Sequence, residues 1–259
     1  MVYEYEQFIV DVHKLTGIDL ACYKERQMKR RIEALIKRYK LNGFKEFLDA
    51  IQENKEMYEA FLSYLTINVS EFYRNPEQWT ILEKELLPGL LERNKNRPLK
   101  IWSAACSTGD EPYSLVMLLS KHMSLNNITI DATDIDKQII AKAQVGIYDK
   151  KSLKGLPEEF KQKYFKQLGS NSFQISEDIK KRVQFRQHNL LRDLYDSNYD
   201  LIVCRNVMIY FTEEAKDEIY KKFYKSLKKD GVLFVGSTEQ MLHADSIGFQ
   251  SKFSFFYMK

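Results

Sequence analysis

The chain has 259 residues, of which 44% are hydrophobic, and a formal net charge of +4 at pH 7. A chain of this size can hold one sizeable core and a small second domain. It has no apolar run near the roughly 18 to 20 residues of a membrane-spanning helix, and its first residues lack the cationic start of a secretory signal, so we expect a cytoplasmic protein. Three cysteines without a C-x-x-C spacing and four scattered histidines predict neither disulfides nor a metal site.

Residues 1–70 are predicted to form a small all-helical domain, because apolar residues recur at helical spacing over 5–13, 24–40 and 43–65. The segment 24–40, KERQMKRRIEALIKRYK, carries eight Lys and Arg residues against two Glu. Its apolar residues share the opposite face, at Met28, Ile32, Leu35, Ile36 and Tyr39. Such a basic helix attracts nucleic acid, an anionic membrane or an acidic protein surface, or it is simply a solvated face.

Residues 71–259 are predicted to form an α/β domain, in which a helix at 76–94 is followed by alternating strands and helices. The strands are expected at 99–104, 128–133, 199–204, 231–237 and 252–258, and the helices between them at 113–123, 137–145 and 213–227. Right-handed connections of this kind give a mostly parallel, Rossmann-like sheet with helices on both faces.

The segment 146–182 interrupts this alternation and is predicted to form a small antiparallel β subdomain outside the main sheet. It contains a short helix at 157–165, followed by two runs with strand-like alternation at 165–168 and 173–176. A Gly/Ser/Asn turn joins the two runs, which is typical of a hairpin.

The segment 101–114, IWSAACSTGDEPYS, predicts a strand, a small turn and the start of a helix. At the carboxyl edge of a sheet, such a turn presents main-chain N–H groups and a positive helix end to a nucleotide-like ligand. Glu111 lies in this turn, and Asp134 ends the next strand, where a carboxylate suits ribose hydroxyls. The turn has one glycine, Gly109, where the dinucleotide fingerprint has three, which disfavours a pyrophosphate and favours S-adenosylmethionine. Taken alone, the segment is equally compatible with an ordinary strand-to-helix connection.

Two further strands are expected to end in polar side chains at the same edge of the sheet. Asn189 ends a strand predicted at 184–190, and its amide can both donate to and accept from an adenine edge. Arg205 and Asn206 follow the buried strand at 199–204, a position at the mouth of a ligand crevice.

The segment TINVSEFYR, between the two predicted domains, adds two hydrogen-bonding groups, Asn68 and Ser70, and a cation, Arg74. Taken singly, Asn68 and Ser70 are also explained by a helix cap or turn, and Tyr210 by a place in the core. Cys106 is interpreted as a small packing residue rather than a nucleophile, because no base lies near it in the sequence.

In order and spacing, the segments NVSEFYRN, SAACSTGDEPYS, ATDID, NLL and CRNVMIYF closely resemble those of the CheR-type chemotaxis receptor methyltransferases. The resemblance spans nearly the whole chain and implies a class I methyltransferase sheet with an antiparallel C-terminal strand. It further implies a protein-glutamate O-methyltransferase that uses S-adenosylmethionine, releases S-adenosylhomocysteine and acts on the cytoplasmic helices of chemoreceptors. Matched motif to motif, the family's cofactor contacts fall on Asn68, Ser70, Arg74, Glu111, Asp134, Asn189, Leu190, Arg205 and Asn206. Arg74 and Tyr210 match the positions nearest the transferring methyl group.

The chain departs from the family pattern in two places. The turn carries Cys106 and Asp110 where relatives often have a shorter or more acidic form, and the hairpin turn at 169–172 is short. Family members that dock a receptor's C-terminal peptide tether carry a longer loop there, which makes tether binding doubtful for this chain. Docking to the acidic methylation helices is instead expected to rest on the basic helix 24–40.

The sequence leaves two other functions open, a non-catalytic cofactor-binding adaptor and a nucleic-acid methyltransferase. The second is disfavoured because Arg205-Asn206-Val207-Met208 stands where amino-methylating enzymes usually have an Asn/Asp-Pro-Pro-aromatic turn. The basic helix also lacks interleaved aromatic residues that would stack on bases. We therefore expect no nucleic-acid partner and no insertion into a membrane.

Overall fold

The structure, a computed structural model, describes residues 3–95 and 97–259. Its contacts divide the chain into two compact units. The first comprises residues 3–67 together with 208–218, and the second comprises the described residues of 68–207 together with 219–259. Within the described ranges, no helix combines the length and the apolar character that crossing a bilayer requires.

The first unit is helical, and its helices bury the apolar stripes that the sequence predicted. Its four longest helices within residues 3–67 are α1 (Tyr5–Thr16), α2 (Glu25–Arg38), α3 (Phe44–Glu53) and α4 (Lys55–Leu65). Phe8, Phe47 and Phe61 form an aromatic centre without solvent exposure, with Phe47 and Phe61 edge to face at 5.4 Å. Their burial stabilises the unit by roughly 1.5–3 kcal/mol for each ring.

The prediction of one helix over 43–65 is wrong, because the helix breaks at Asn54. This residue is extended, with φ −116° and ψ 109°, and its side-chain oxygen accepts a hydrogen bond from Met57 N at 3.0 Å. Asn54 thus caps α4 while α3 ends before it. Asparagine favours this position because its short amide replaces a backbone hydrogen bond at a helix start.

The segment 208–218 packs in the first unit although the second unit surrounds it in the sequence. It begins with a 3₁₀ turn, Met208–Tyr210, and continues into α11 (Glu213–Ser226). Lys24 N donates to Tyr210 O at 2.9 Å, and Thr212 N donates to Cys22 O at 2.9 Å. These backbone bonds fix the segment to the residues that lead into α2.

The second unit is built on a seven-stranded sheet with the order β6-β2-β1-β7-β8-β10-β9. The strands are β1 (Ile101–Ala104), β2 (Ile130–Asp134), β6 (Val183–Gln187), β7 (Tyr199–Cys204), β8 (Leu227–Val235), β9 (Gln250–Phe253) and β10 (Phe256–Met258). Pairing is parallel from β6 to β8 and antiparallel for β10 with β8 and β9. The predicted mostly parallel sheet with an antiparallel C-terminal end is therefore confirmed.

Helices precede the first strand of this sheet and follow several of the others, and several of them differ from the predicted bounds. They are α5 (Pro76–Ile81), α6 (Leu87–Arg93), α7 (Asp110–Leu119), α8 (Lys137–Val145) and α12 (Ala244–Ile247). A π-helical turn, Leu82–Leu86, joins α5 to α6. The start of α7 is three residues earlier than predicted, because Pro112 is tolerated in a first turn, where its missing N–H is not needed.

One predicted strand is divided in the structure, and one strand was not predicted. The predicted strand 252–258 is two strands, β9 and β10, because Phe255 has φ 72° and a strand cannot continue through that conformation. The predicted small antiparallel subdomain is confirmed, with β4 (Phe165–Gln167) and β5 (Ser172–Ile175) as its hairpin. It also has a third strand that was not predicted, β3 (Ile147–Asp149), which pairs with β5. Its helices are α9 (Glu158–Tyr164) and α10 (Glu177–Lys180).

Candidate cofactor site

Three residues of the turn between β1 and α7 have left-handed backbone conformations, which are uncommon for residues other than glycine. Ala105, Ser107 and Gly109 all have positive φ, at 60°, 48° and 86°. Successive N–H groups in such a turn can point into one concavity, and the first N–H groups of α7 follow directly after it. The turn can therefore bind an anionic or hydroxyl-bearing group through its main chain.

Gly109 is required by both its conformation and its surroundings. A Cβ at this position would lie 3.0 Å from both Ala143 Cβ and Tyr113 Cε2. We expect Gly109→Ala to destabilise the protein by at least about 1 kcal/mol and to weaken binding of S-adenosylhomocysteine, the ligand that the sequence resemblance implies, because the turn must shift. Thermal unfolding and calorimetric titration measure the two effects. Gly169→Ala is the matched control, since a Cβ there meets nothing within 4 Å, and equal losses in the two variants would refute the prediction.

Asp134, at the end of β2, is buried and holds the turn in place. Its Oδ2 accepts a hydrogen bond from Ser107 N at 2.8 Å, and its Oδ1 accepts one from Asp136 N at 3.0 Å. Each carboxylate oxygen has a second lone pair, so Asp134 can also accept hydrogen bonds from a sugar. The carboxylate thus joins the turn after β1 to the loop after β2.

Asn68 belongs to the same hydrogen-bond network. Its Nδ2 donates to Asp136 Oδ2 at 3.0 Å, and its Oδ1 accepts from Ser107 Oγ at 3.4 Å. Asp136 in turn caps α8 by accepting from Gln138 N at 2.9 Å. Asn68 is therefore tied to the ends of β1 and β2 rather than serving as a helix cap.

Glu111, in the first turn of α7, lies between a hydroxyl and a cation. Its Oε1 accepts from Ser103 Oγ at 2.8 Å, and its Oε2 lies 3.7 Å from Arg205 Nη1. The Glu111 side chain is 13% exposed and that of Arg205 only 2%. This pair places a largely buried carboxylate beside the turn.

Burial gives three carboxyls around the turn an unusually high affinity for protons. It raises the pKa of Glu111 from 4.5 to about 7, although Arg205 acts to lower it. Burial likewise raises the pKa of Asp134 and that of Asp110 from 3.8 to about 6. Buried carboxylates favour a cationic ligand, because its charge offsets the cost of their desolvation.

The guanidinium of Arg205 donates hydrogen bonds to residues at the start of α5 and just before it. Its Nη2 donates to Arg74 O at 2.7 Å, to Gln78 Oε1 at 3.0 Å and to Asn75 Oδ1 at 3.2 Å. The guanidinium also lies over the Phe234 ring, 4.6 Å from its centroid. Arg205 therefore anchors the backbone at residues 74–78 to the end of β7.

Residues 70–74, which include Ser70 and Arg74, lead into the segment that Arg205 anchors. The Ser70 side chain hydrogen-bonds with Asp110, the first residue of α7, and so does the hydroxyl of Thr108. Arg74 is half-buried and donates from Nη1 to Val69 O at 3.3 Å. Residues 70–74 are thus held beside the turn at one end by Asp110 and at the other by Arg205.

Asn189 and Leu190 follow β6, next to the end of β2. His188 N donates to Asp134 O at 2.9 Å, which places these residues beside the acidic end of that strand. Asn189 Oδ1 accepts from Leu191 N at 3.0 Å, so the amide oxygen helps to form its own turn. Leu190 is buried, and its carbonyl accepts from Tyr195 OH at 2.8 Å.

The structure brings the predicted site residues of the second unit around one turn, while Tyr210 belongs to the first unit. Asn206 follows Arg205 with φ 62°, and its backbone N donates to Glu239 Oε2 at 2.7 Å.

Sequence reasoning missed several polar residues of this network: Ser103, Ser107, Asp110, Asp136 and Glu239. Asp136 could have been found as a helix cap before α8, whereas Glu239 carries no motif that marks it.

The architecture described above, a mostly parallel sheet with an acidic residue at the end of β2, is that of class I methyltransferases. Residues 68–254 match the SAM-binding domain of the CheR methyltransferases, and residues 3–66 match the all-alpha domain of the same family. The chain therefore belongs to the CheR methyltransferase family, which confirms the resemblance seen in the sequence motifs.

Relatives in several bacteria share nearly the whole length of the chain. The chemotaxis protein methyltransferase of Listeria monocytogenes is 42% identical over 256 residues, which cover 99% of this chain and 97% of the relative. That of Borreliella burgdorferi is 34% identical over 248 residues, covering 91% and 87%. Chemotaxis protein methyltransferase 1 of Pseudomonas aeruginosa is 33% identical over 248 residues, covering 92% and 90%.

The groups around the turn fit S-adenosylmethionine in their chemistry. The carboxylates of Glu111, which is 13% exposed, and of Asp134, which is buried, suit its ammonium, sulfonium and ribose, and the main-chain N–H groups of the turn suit oxygen atoms. Among the described residues, no group of three or more His, Cys, Asp or Glu is arranged to hold a metal ion.

Proposed function

We propose that this chain methylates glutamate side chains on the cytoplasmic helices of chemotaxis receptors and so forms glutamyl methyl esters for sensory adaptation. Family membership over both units is the observation that carries the proposal. In this scheme residues 71–259, together with Asn68 and Ser70 just before them, hold S-adenosylmethionine, and a β subdomain is inserted at about 146–182. Residues 1–70 contact the receptor.

We assign cofactor binding to the residues around the turn after β1. They are Asn68, Ser70, Arg74, Glu111, Asp134, Asn189, Leu190, Arg205 and Asn206. When bound, S-adenosylmethionine supplies an electrophilic methyl group on a sulfonium. In this assignment Glu111 and Asp134 bind its cationic and sugar parts, while Arg205 keeps the segment with Arg74 in position.

The methyl transfer requires that the acceptor carboxylate be correctly oriented, and it requires no proton transfer. A glutamate carboxylate is already a nucleophile, so the chain needs no base to activate it. One carbon–oxygen bond forms as one carbon–sulfur bond breaks, and the leaving group is a neutral thioether. Holding the acceptor in line and excluding water supply most of the rate acceleration in such a site. We assign this orienting role to Arg74, through its charge, and to the hydroxyl of Tyr210.

Docking to an acidic receptor is assigned to the exposed face of α2. Arg26, Arg30, Lys37 and Arg38 are exposed on this helix, while Met28, Ile32, Leu35 and Ile36 are buried. Arg31 is committed to the fold, because it hydrogen-bonds to Tyr64 O and its guanidinium lies 4.4 Å from the centroid of the Tyr64 ring. A charge test of docking must therefore leave Arg31 unchanged.

Arg30→Glu is expected to slow receptor methylation, with the largest effect at low salt. Reversing an exposed charge weakens attraction to an acidic surface, and salt screens that attraction. Initial rates measured from low to high ionic strength, at fixed receptor concentration, give the result. Lys166→Glu, an exposed reversal on the β subdomain, is the matched control. Equal effects of the two reversals would show that net charge, rather than α2, controls docking.

The function itself is tested by incubating the chain with radiolabelled S-adenosylmethionine and receptor-containing membranes. A receptor glutamate methyltransferase leaves base-labile radioactivity on the receptor band. A cofactor-binding adaptor would bind S-adenosylhomocysteine in calorimetry but leave no label on protein. A nucleic-acid methyltransferase would label added DNA or RNA instead.

A further inference from the structure

Glu239 is a buried carboxylate in the turn after β8, outside the sequence motifs of the predicted site. It is 5% exposed. The ends of β7 and β8 are neighbours, since Cys204 pairs with Val235 in the parallel register. The turn with Glu239 therefore lies beside the turn with Asn206.

One oxygen of Glu239 joins these two turns. Glu239 Oε2 accepts hydrogen bonds from Asn206 N at 2.7 Å and from Gly236 N at 2.8 Å. Bonds from two N–H groups to one carboxylate oxygen are charge-assisted and short. They fix the backbone of Asn206 relative to β8.

The hydrogen bond from Asn206 N to Glu239 also affects where the Asn206 side chain points. Asn206 has φ 62°, in the left-handed region, which asparagine adopts more readily than other non-glycine residues but which is still less favourable for it than negative φ. Releasing its N–H would let the residue relax to negative φ, and the side chain would then point elsewhere. The space is also tight, because a Cβ on Gly236 would overlap Glu239 Oε2 and lie 2.9 Å from Asn206 N.

We propose that Glu239 is a positioning residue for cofactor binding, which acts by holding Asn206 in its left-handed conformation. The inference rests on the proposed function, in which Asn206 contacts S-adenosylmethionine. Glu239 itself is assigned no contact with the cofactor. Its carboxylate fixes the backbone of Asn206, which follows β7, and thereby sets the direction of the Asn206 side chain.

A double-mutant cycle between Glu239 and Asn206 tests this role, with S-adenosylhomocysteine affinity measured by calorimetry. Glu239→Ala alone is expected to weaken binding about 10- to 100-fold, as loss of hydrogen bonds to a charged group does. In an Asn206→Ala background the same change is expected to cost less than about threefold, because the side chain that Glu239 orients is gone. Glu239→Gln keeps a carbonyl oxygen that can accept from both N–H groups, so it should recover most of the affinity.

Additive losses in the two single variants would overturn the proposal, because a residue that merely stabilises the fold does not act through Asn206. Unchanged affinity in Glu239→Ala would overturn it as well. Should Glu239→Ala fail to fold in thermal denaturation, the cycle is run with Glu239→Gln, whose smaller loss must likewise vanish in the Asn206→Ala background. Absence of binding by the unaltered chain would instead refute the proposed function, so the two failures are distinct.

Discussion

Replacing Glu111 by glutamine is expected to stabilise the protein above about pH 7 and, at the same time, to weaken its binding of S-adenosylhomocysteine. Both effects follow from the burial of one carboxylate beside Arg205. Glutamine can preserve the local contacts, because its amide can donate to Ser103 Oγ while its oxygen faces the guanidinium. What the substitution removes is the negative charge.

The direction of the pH dependence follows from the raised pKa of Glu111, which burial shifts from 4.5 to about 7. Between these values the folded chain retains a proton that the unfolded chain has released. The stabilisation is therefore complete below the unfolded pKa and is lost as the pH rises through about 7. Glutamine keeps this stabilisation at every pH, and the gain above pH 7 is on the order of 3 kcal/mol. Asp110 and Asp134 contribute with the same sign, since burial raises their pKa values to about 6.

Thermal unfolding of the ligand-free chain between about pH 5 and 8 measures this effect. The unaltered chain should lose stability over this range more steeply than Glu111→Gln. Glu177→Gln is the control, because the Lys180 hydrogen bond lowers the pKa of that exposed carboxyl and glutamine there should give no gain. Calorimetry at neutral pH should show affinity for S-adenosylhomocysteine reduced about 10- to 100-fold, as its ammonium loses a charged partner. Parallel pH profiles, or unchanged affinity, would contradict the assignment of Glu111.

The sheet and the elements around the turn could be predicted from the sequence because their signals are local. Tyr199–Cys204 is a continuous apolar run, and all six of its residues are buried as β7. The turn after β1 combines small residues with Gly109, which permits the positive φ found there. Parallel connections then bring the ends of β1, β2, β6 and β7 to one edge, so the residue types at that edge could be inferred together.

Side-chain directions and distant partners could not be predicted in this way. The sequence placed Arg205 at the mouth of a crevice, but it did not reveal that its guanidinium donates to the backbone of Arg74 and to Gln78, far away in the sequence. Glu239 has no local pattern, and only the pairing of β7 with β8 reveals its contact with Asn206. Tertiary contacts of this kind decide the role of a polar residue, whereas periodicity and turn propensity do not encode them.

Arg74→Ala is expected to reduce receptor methylation about 100-fold or more, as removal of a charge that stabilises or orients reacting groups does. Affinity for S-adenosylhomocysteine separates the two roles open to the guanidinium. If it orients the acceptor glutamate, affinity should stay within about threefold while turnover falls. If it binds the carboxylate of the cofactor, affinity should fall about 10- to 100-fold as well. Arg93→Ala is the matched control, since Arg93 also donates to a backbone carbonyl, Asp230 O at 3.0 Å, but outside the turn.

Tyr210→Phe removes one hydroxyl and is expected to reduce turnover about tenfold, with little change in stability. Combining it with Arg74→Ala shows whether the two side chains act on one group. If both hold the same carboxylate, the double variant should lose less than the product of the single losses, because the second change removes a contact already weakened by the first. Independent losses would place the two residues on different partners, one on the acceptor and one on the cofactor. Unchanged turnover in both single variants would exclude both residues from the active site, and the orientation of the acceptor would then have to come from other residues.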